Sequence, residues 1–370
     1  MKSCVIIPTV RNFVIVRNYV ENCIENGFDS NRLFFLLVTE DFCDVHGMKA
    51  LLKDLGVEGE VFSETKRNDW MGSMGIGNHL SLIPRKSHAE TSFGLLYMWT
   101  NGFDTGYLID DDTLPTGRDF FGVHKSNLDF SGNMTSISSS TRWVNVLYQN
   151  FRRHRLYPRG YPYSCMKEKL LIGKSHIKDV AVSQGLWVNV PDLDSLRILM
   201  QGDLNGISAV ETEEADFAEN FVAAHGNYLT VCSMNLAFRR EIIPAFYQLP
   251  MDDNAWKIGR FDDIWSGIFI KRICDELGKH ILNGRPLCRH DKAPRSTFKD
   301  LFSEMPALDI NENLWKILDS VKFSDKSYSG MYLDIADVLE KEKFAFINAD
   351  FLKFMSGKMK MWVDAVNKLG

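Results

Sequence analysis

Continuous apolar runs alternate with segments of a different period in the first third of the chain. CVIIPTV (4–10), RLFFLLV (32–38) and GYLI (106–109) have no polar face, so each reads as a strand covered on both sides. Between the first two, NFVIVRNYVENCIENG puts Val16, Tyr19, Val20 and Cys23 on one helical face and stops at Gly27. A helix follows around GMKALLKDLG, then a strand at EGEVFSE and a helix at SFGLLYMWTNG. Strands separated by helices of this length predict an α/β fold, a mostly parallel sheet flanked by helices.

Ligands of such sheets bind beyond the carboxyl ends of the strands. The pattern predicts a crevice where Pro8-Thr9, Thr39-Glu40-Asp41 and Asp110 to Asp112 converge. Residues 116 to 230 are rich in turns and read as excursions from the sheet, and GSMGIGNHL as a flexible loop. DDIWSGIFIKRICDELG predicts a helix with Trp265, Ile268, Phe269 and Ile273 on one face. NENLWKILDSV, residues 331 to 355 and KMKMWVDAVNKL also read as helices, packed on the core or forming a homo-oligomer contact.

Composition narrows the classes. With 45% hydrophobic and 25% charged residues, the 370-residue chain can bury a sizeable core. A net charge of -5 gives no footprint for nucleic acid. The seven cysteines include no CxxC pair, which fits buried thiols in a reducing compartment. The apolar run before Pro8 is too short for a secretory signal, and no stretch approaches the roughly 20 residues of a membrane span. The expectation is a cytoplasmic protein without a membrane span.

Chemistry concentrates in four places. Asp110, Asp111 and Asp112 repel one another, and a divalent cation would offset that cost. Strand alternation would turn Asp110 and Asp112 to one side and Asp111 to the other, and two carboxylates suit Mg²⁺ or Mn²⁺. The bland alternative is an acidic turn. Asp262 and Asp263 open a helix, where they either cap it or reach a substrate as hydroxyl ligands or a base. In NFRRHRLYPRGYPYS, Arg152 and Arg153 fit a solvated face. Arg159 lies between prolines and beside a glycine, a fixed guanidinium suited to a diphosphate. His290 and Lys292 could supply a metal ligand and a phosphate contact, although a lone histidine is more often structural. No GxSxG elbow is present.

Taken in order, VIIPTVRN, YLIDDD, LYPRGYPYS, SQGLWVNVPDLD, CSMNLAFRREII, IGRFDDIWSGIFIKRICDELG and RHDKA resemble the reversibly glycosylated polypeptides, which include plant UDP-arabinopyranose mutases. The resemblance covers most of residues 1 to about 300 and implies a glycosyltransferase-A-type, nucleotide-sugar-binding domain over residues 1–300. Residues 301–370 carry no such resemblance, and their pattern predicts a helical C-terminal extension. It implies that Asp110, Asp112 and His290 hold Mn²⁺ or Mg²⁺, and that Asp110 and Asp111 meet the ribose-diphosphate. Thr9 and Arg11 would lie near uracil. Asp262, Asp263, Asp192, Asp194 and Lys292 would serve the substrate, and Arg159 matches the arginine that the family glycosylates. Gln184 and Asp291 stand where plant members have His and Ser. The implied activity is interconversion of pyranose and furanose forms of a UDP-sugar. A metal-dependent glycosyltransferase with an external acceptor, and a non-catalytic partner subunit that binds nucleotide sugars, are the alternatives.

Overall fold

The computed structural model describes residues 2–251, 254–342 and 349–370, without the side chains of Arg152 and Ala349. The chain begins β1 (Ser3–Pro8), α1 (Ile15–Asn26), β2 (Leu33–Val38), α2 (Val45–Asp54), β3 (Glu58–Phe62), α3 (Glu64–Ser73), α4 (Thr91–Thr100) and β4 (Thr105–Ile109). It continues with β5 (Thr113–Pro115), α5 (Phe120–Leu128), β6 (Gly132–Ser139), β7 (Leu170–Ile177), β8 (Val180–Asn189), α6 (Ser195–Met200) and β9 (Phe221–Ala223). The last elements are β10 (Asn235–Arg239), α7 (Asp262–Glu276), β11 (His280–His290), α8 (Thr297–Ser320), α9 (Tyr328–Lys341) and α10 (Ala349–Leu369).

The apolar runs are buried strands because each feeds two cores. In β1, Cys4 and Ile6 enter one core while Val5 and Ile7 enter the other. In β2, Leu36 and Val38 are divided in the same way from Phe35 and Leu37. Helices α1, α2 and α5 cover one face, and α4 and α7 to α10 cover the other. Helix α1 buries Val16, Tyr19, Val20 and Cys23 as its period requires, and it ends where Gly27 takes φ 69°, a left-handed cap that favours glycine.

The strand order is β3-β2-β1-β4-β10-β8-β11-β9-β6-β7, with β5 added to β11. The first four strands are parallel, as the alternation predicts. Beyond them β10 runs antiparallel to both β4 and β8, β8 and β11 are parallel, and β9 opposes β11, so the sheet is mixed.

Residues 116 to 230 are more than excursions. They supply β6 to β9, and β8 lies inside the sheet. The polar residues that disguise β8 have internal partners: Ser183 Oγ lies 2.9 Å from His124 Nδ1, and Gln184 donates to Asn283 at 2.7 Å. The expected GSMGIGNHL loop instead ends α3 and forms a 3-10 turn over 77–82. Position 300 falls within α8, and Leu314, Ile335 and Trp362 of the last three helices join the same core as the sheet. The helical reading of 331 to 355 is met by α9 and α10 at its ends, and 343 to 348 lie outside the described residues. All seven cysteines are unpaired. No helix among the described residues is long and apolar enough to cross a membrane.

Candidate functional site

A cleft of about 480 Å³ opens beyond the carboxyl ends of β1, β4 and β11. After β2 the chain reaches it at Phe42, whereas the expected Thr39, Glu40 and Asp41 do not line it. There Arg67 of α3, a fully buried side chain, donates to the Thr39 carbonyl at 2.6 Å and pairs with Glu40 at 3.2 Å and Glu90 at 3.1 Å. Asp41 is exposed and accepts from Thr65.

The acidic triplet forms a turn, closed by the Thr113 amide on the Asp110 carbonyl at 3.2 Å, and its three carboxylates point to different partners. Asp111 is buried beneath the loop after β1, accepting from Thr9 Oγ1 at 3.0 Å, the Arg11 amide at 3.2 Å and Arg11 Nη2 at 2.7 Å. Thr9 and Asp111 therefore knit the floor of the cleft together, while Arg11 lies over it. Asp112 lies 3.8 Å from His290 Nε2 and 3.6 Å from Arg11 Nη2. Asp110 turns away from both, to His88 Nε2 at 3.0 Å.

That divides the expected metal set. No three carboxylate, imidazole or thiol groups among the described residues converge tightly enough to enclose a cation alone. Asp112 and His290 still fit a cation that completes its shell with ligand oxygens. His290 Nδ1 lies 2.7 Å from the Val190 carbonyl, which fixes its proton there and leaves the Nε2 lone pair toward Asp112. Burial pushes the Asp112 carboxyl above its ordinary pKa, with His290 opposing.

His88 gave no signal in the sequence, where SHAE reads as a polar loop. Its Nδ1 lies 2.9 Å from Asp262 and its Nε2 bonds Asp110, so one ring spans two walls of the cleft. Burial disfavours the charged ring, but Asp110 and then Asp262 outweigh it and hold its pKa well above the usual histidine value.

Across the cleft, Arg159 is clamped from three sides. Asp192 accepts from Nε at 3.0 Å and pairs with Nη2 at 2.9 Å, Asp263 lies 3.3 Å from Nη1, and the Arg260 carbonyl also accepts from Nη1. Burial opposes this charge, yet Asp192 and Asp263 raise the guanidinium pKa well above normal. Asp192 in turn is held below the carboxylate range, because Arg159 and Lys292 overcome the cost of burying it. Gly160 has φ 86°, a left-handed backbone that favours glycine, and a Cβ there would overlap Ile264 of α7.

Asp262 and Asp263 sit in the first turn of α7 after Phe261, and both line the cleft. Phe261 is the N-cap residue of α7 and no side chain caps the helix, so neither aspartate serves as a cap; Asp263 accepts from the adjacent Ile264 amide at 2.9 Å. Arg260, another residue missed in the sequence, takes φ 63° and is held by Glu304 and Asp300 of α8. Lys292 lines the same cleft with its Nζ buried and unpartnered. Burial, then Arg260, push its pKa below the usual lysine value.

Asp194 does not join them. It caps α6 through the Arg197 amide at 3.0 Å and accepts from Tyr163 at 2.8 Å, away from the cleft. Gln184 and Asp291 do not line the cleft either: Gln184 is buried in the sheet and Asp291 pairs with Arg289 at 2.6 Å. Arg153 pairs with Glu213 and Asp216.

Carboxylates and cations crowd into a cleft at the strand ends of a mixed α/β sheet. The profile of the reversibly glycosylated polypeptide family matches residues 57–370, and the chain belongs to that family. Its relatives are enzymes by name. UDP-arabinopyranose mutase 3 of Arabidopsis thaliana is 29% identical over 99% of this chain and 91% of its own length. Probable UDP-arabinopyranose mutase 2 of Solanum tuberosum is 32% identical over 80% of this chain and 75% of its own. Among solved structures, a mannosyltransferase from Pyrobaculum calidifontis in complex with GDP-Man and Mn²⁺ aligns over 100% of this chain and 84% of that one, at 10% identity and TM-score 0.39. S. aureus TarS 1-349 in complex with UDP-GlcNAc aligns over 99% and 79%, at 13% identity and TM-score 0.38. Similarity this loose carries no weight below.

Proposed function

We propose that the chain is a nucleotide-sugar mutase that interconverts pyranose and furanose forms of a UDP-sugar of the arabinose type, in a glycosyltransferase-A-like domain. One observation carries this: Lys292, whose buried Nζ has no hydrogen-bond partner among the described residues, shares a cleft with the carboxylate-clamped guanidinium of Arg159. Such a cleft favours a diphosphate beside a sugar.

The reaction breaks the anomeric C–O bond to the diphosphate, and the oxygen leaves with the electron pair. Lys292, Arg260 and Arg11 line the cleft as preorganised charge for that oxygen. Mn²⁺ or Mg²⁺ held by Asp112 and His290 would add Lewis-acid charge there. Arg159 takes the anomeric carbon through a guanidinium nitrogen, which needs that nitrogen to lose a proton. Asp263, whose carboxyl is raised by burial, lies 3.3 Å away and accepts it. Because the guanidinium charge is strongly held, proton transfer accompanies C–N bond formation. The adduct nitrogen's lone pair expels the ring oxygen O5, which takes the proton held by Asp263. O4 then adds to the C1=N carbon and returns a proton to Asp263, and the diphosphate oxygen finally displaces Arg159, which regains that proton.

Incubation with UDP-arabinopyranose and Mn²⁺ in the absence of an acceptor tests this. Chromatography should show the furanose form. Turnover only after adding an acceptor would instead identify a glycosyltransferase, and binding without turnover would identify a non-catalytic subunit.

A further inference from the structure

Most of the cleft is lined by charge, but its mouth on the β1–β2 side also carries the apolar side chains of Val10 and Phe42 beside Arg11 and Lys86. Phe42 there is 68% exposed, a large aromatic side chain left in water at the rim of a binding cleft, with Val10 beside it. This rim is built rather than loose. Thr39 Oγ1 donates to the Thr9 carbonyl at 2.6 Å, and Cys43 Sγ lies 3.9 Å from the Val10 carbonyl, so the loops after β1 and β2 are stapled together.

The Phe42 ring has a charged neighbour. Lys86 Nζ stands 5.7 Å from the ring centroid, makes no ion pair among the described residues, and lines the same cleft. Lys86 also has φ 50°, the left-handed region that a lysine rarely enters. Its amide donates to buried Glu40 at 2.6 Å, and Glu40 is fixed in turn by Arg67. Backbone strain over-determined in this way marks functional positions.

We infer that Phe42 and Lys86 form the nucleobase platform of the cleft: the base of a nucleoside diphosphate stacks on the Phe42 ring, with the Lys86 ammonium fixed beside it. This rests on the UDP-sugar function proposed above. If the diphosphate lies against Lys292 and the sugar reaches Arg159, the mouth at Phe42 is what remains for the base. A base has an apolar face on either side whatever its hydrogen-bonding edge, so an exposed phenyl ring suits it. A cation over an aromatic ring adds a favourable electrostatic contact.

Calorimetric titration of the full chain with UDP and, separately, with pyrophosphate tests the platform. Phe42→Ala should weaken UDP about tenfold and leave pyrophosphate affinity unchanged, and Phe42→Trp should keep wild-type UDP affinity. Phe42 is exposed, so its replacement spares the core. Equal UDP affinity in wild type and Phe42→Ala would overturn the platform alone, as would a parallel loss of pyrophosphate binding. Failure of the wild-type chain to bind UDP would overturn the proposed function and the platform with it.

Discussion

Arg159 and Asp192 are joined twice: the Arg159 amide donates to the Asp192 carbonyl at 2.8 Å, and the two side chains pair at 2.9 Å. The backbone link sets the distance between the two loops, and the side-chain link sets the plane of the guanidinium. Removing one member of a buried pair strands the other charge, which typically costs about 3 kcal/mol or more. Asp192→Asn should lower the unfolding free energy by about that amount and abolish transfer of labelled sugar to the protein. Denaturant titration and autoradiography read the two effects separately. Wild-type stability in the variant would show that Asp192 does not carry the clamp.

Asp112 and His290 are placed to share a cation with a ligand. Adding EDTA, or substituting Asp112→Asn or His290→Ala, should reduce turnover on the order of 100-fold, the scale on which one charge-stabilising group acts. Each variant should also lose the gain in UDP affinity that Mn²⁺ gives the wild-type chain. A Mn²⁺ effect that persists in both variants would place the cation elsewhere.

Much of this site is visible in the sequence because its residues mark strand and helix ends. The acidic turn closes an apolar run, Asp262 and Asp263 open a long helix, and His290 ends β11. What is hidden is what pairs across distance. His88 looks like a residue of a polar loop until the fold carries it between Asp110 and Asp262. Arg67 looks like a surface residue of a weakly amphipathic helix, yet buried Glu40 and Glu90 make it a core side chain. Ser183 and Gln184 conceal an inner strand for the same reason. Glu304 accepts from the Ser195 amide and pairs with Arg260, so α8, far away in sequence, supports the Arg159 loop.

His124 is a buried structural histidine held by Ser183 at 2.9 Å and Asn235 at 2.8 Å. Burial lowers its pKa to about 4. The unfolded chain takes up a proton near pH 6.5 that the folded chain refuses, so stability falls as the pH drops from about 6.5 toward about 4. From this group alone the loss between pH 7 and pH 5 should be about 2 kcal/mol. Urea titrations at the two pH values should show it in the wild-type chain. His124→Gln should lose correspondingly less stability over the same interval, and an identical loss would assign the acid sensitivity to other groups.

Lys292 presents the opposite balance. Its Nζ is buried without a hydrogen-bond partner among the described residues, and burial together with repulsion from Arg260 outweighs the attraction of Asp192, so in the free protein it is a source of instability. Replacing it with an unbranched apolar side chain removes that cost. Lys292→Met should therefore stabilise the free chain by about 1 kcal/mol. It should also weaken UDP-sugar by roughly tenfold to a hundredfold, the worth of a lost charge-assisted hydrogen bond. Thermal melting without ligand and UDP-sugar titration together check the pair of effects. Only a group kept for its ligand gives both signs at once: a lysine with a structural role would destabilise the chain when removed, and one that never meets the diphosphate would leave affinity unchanged.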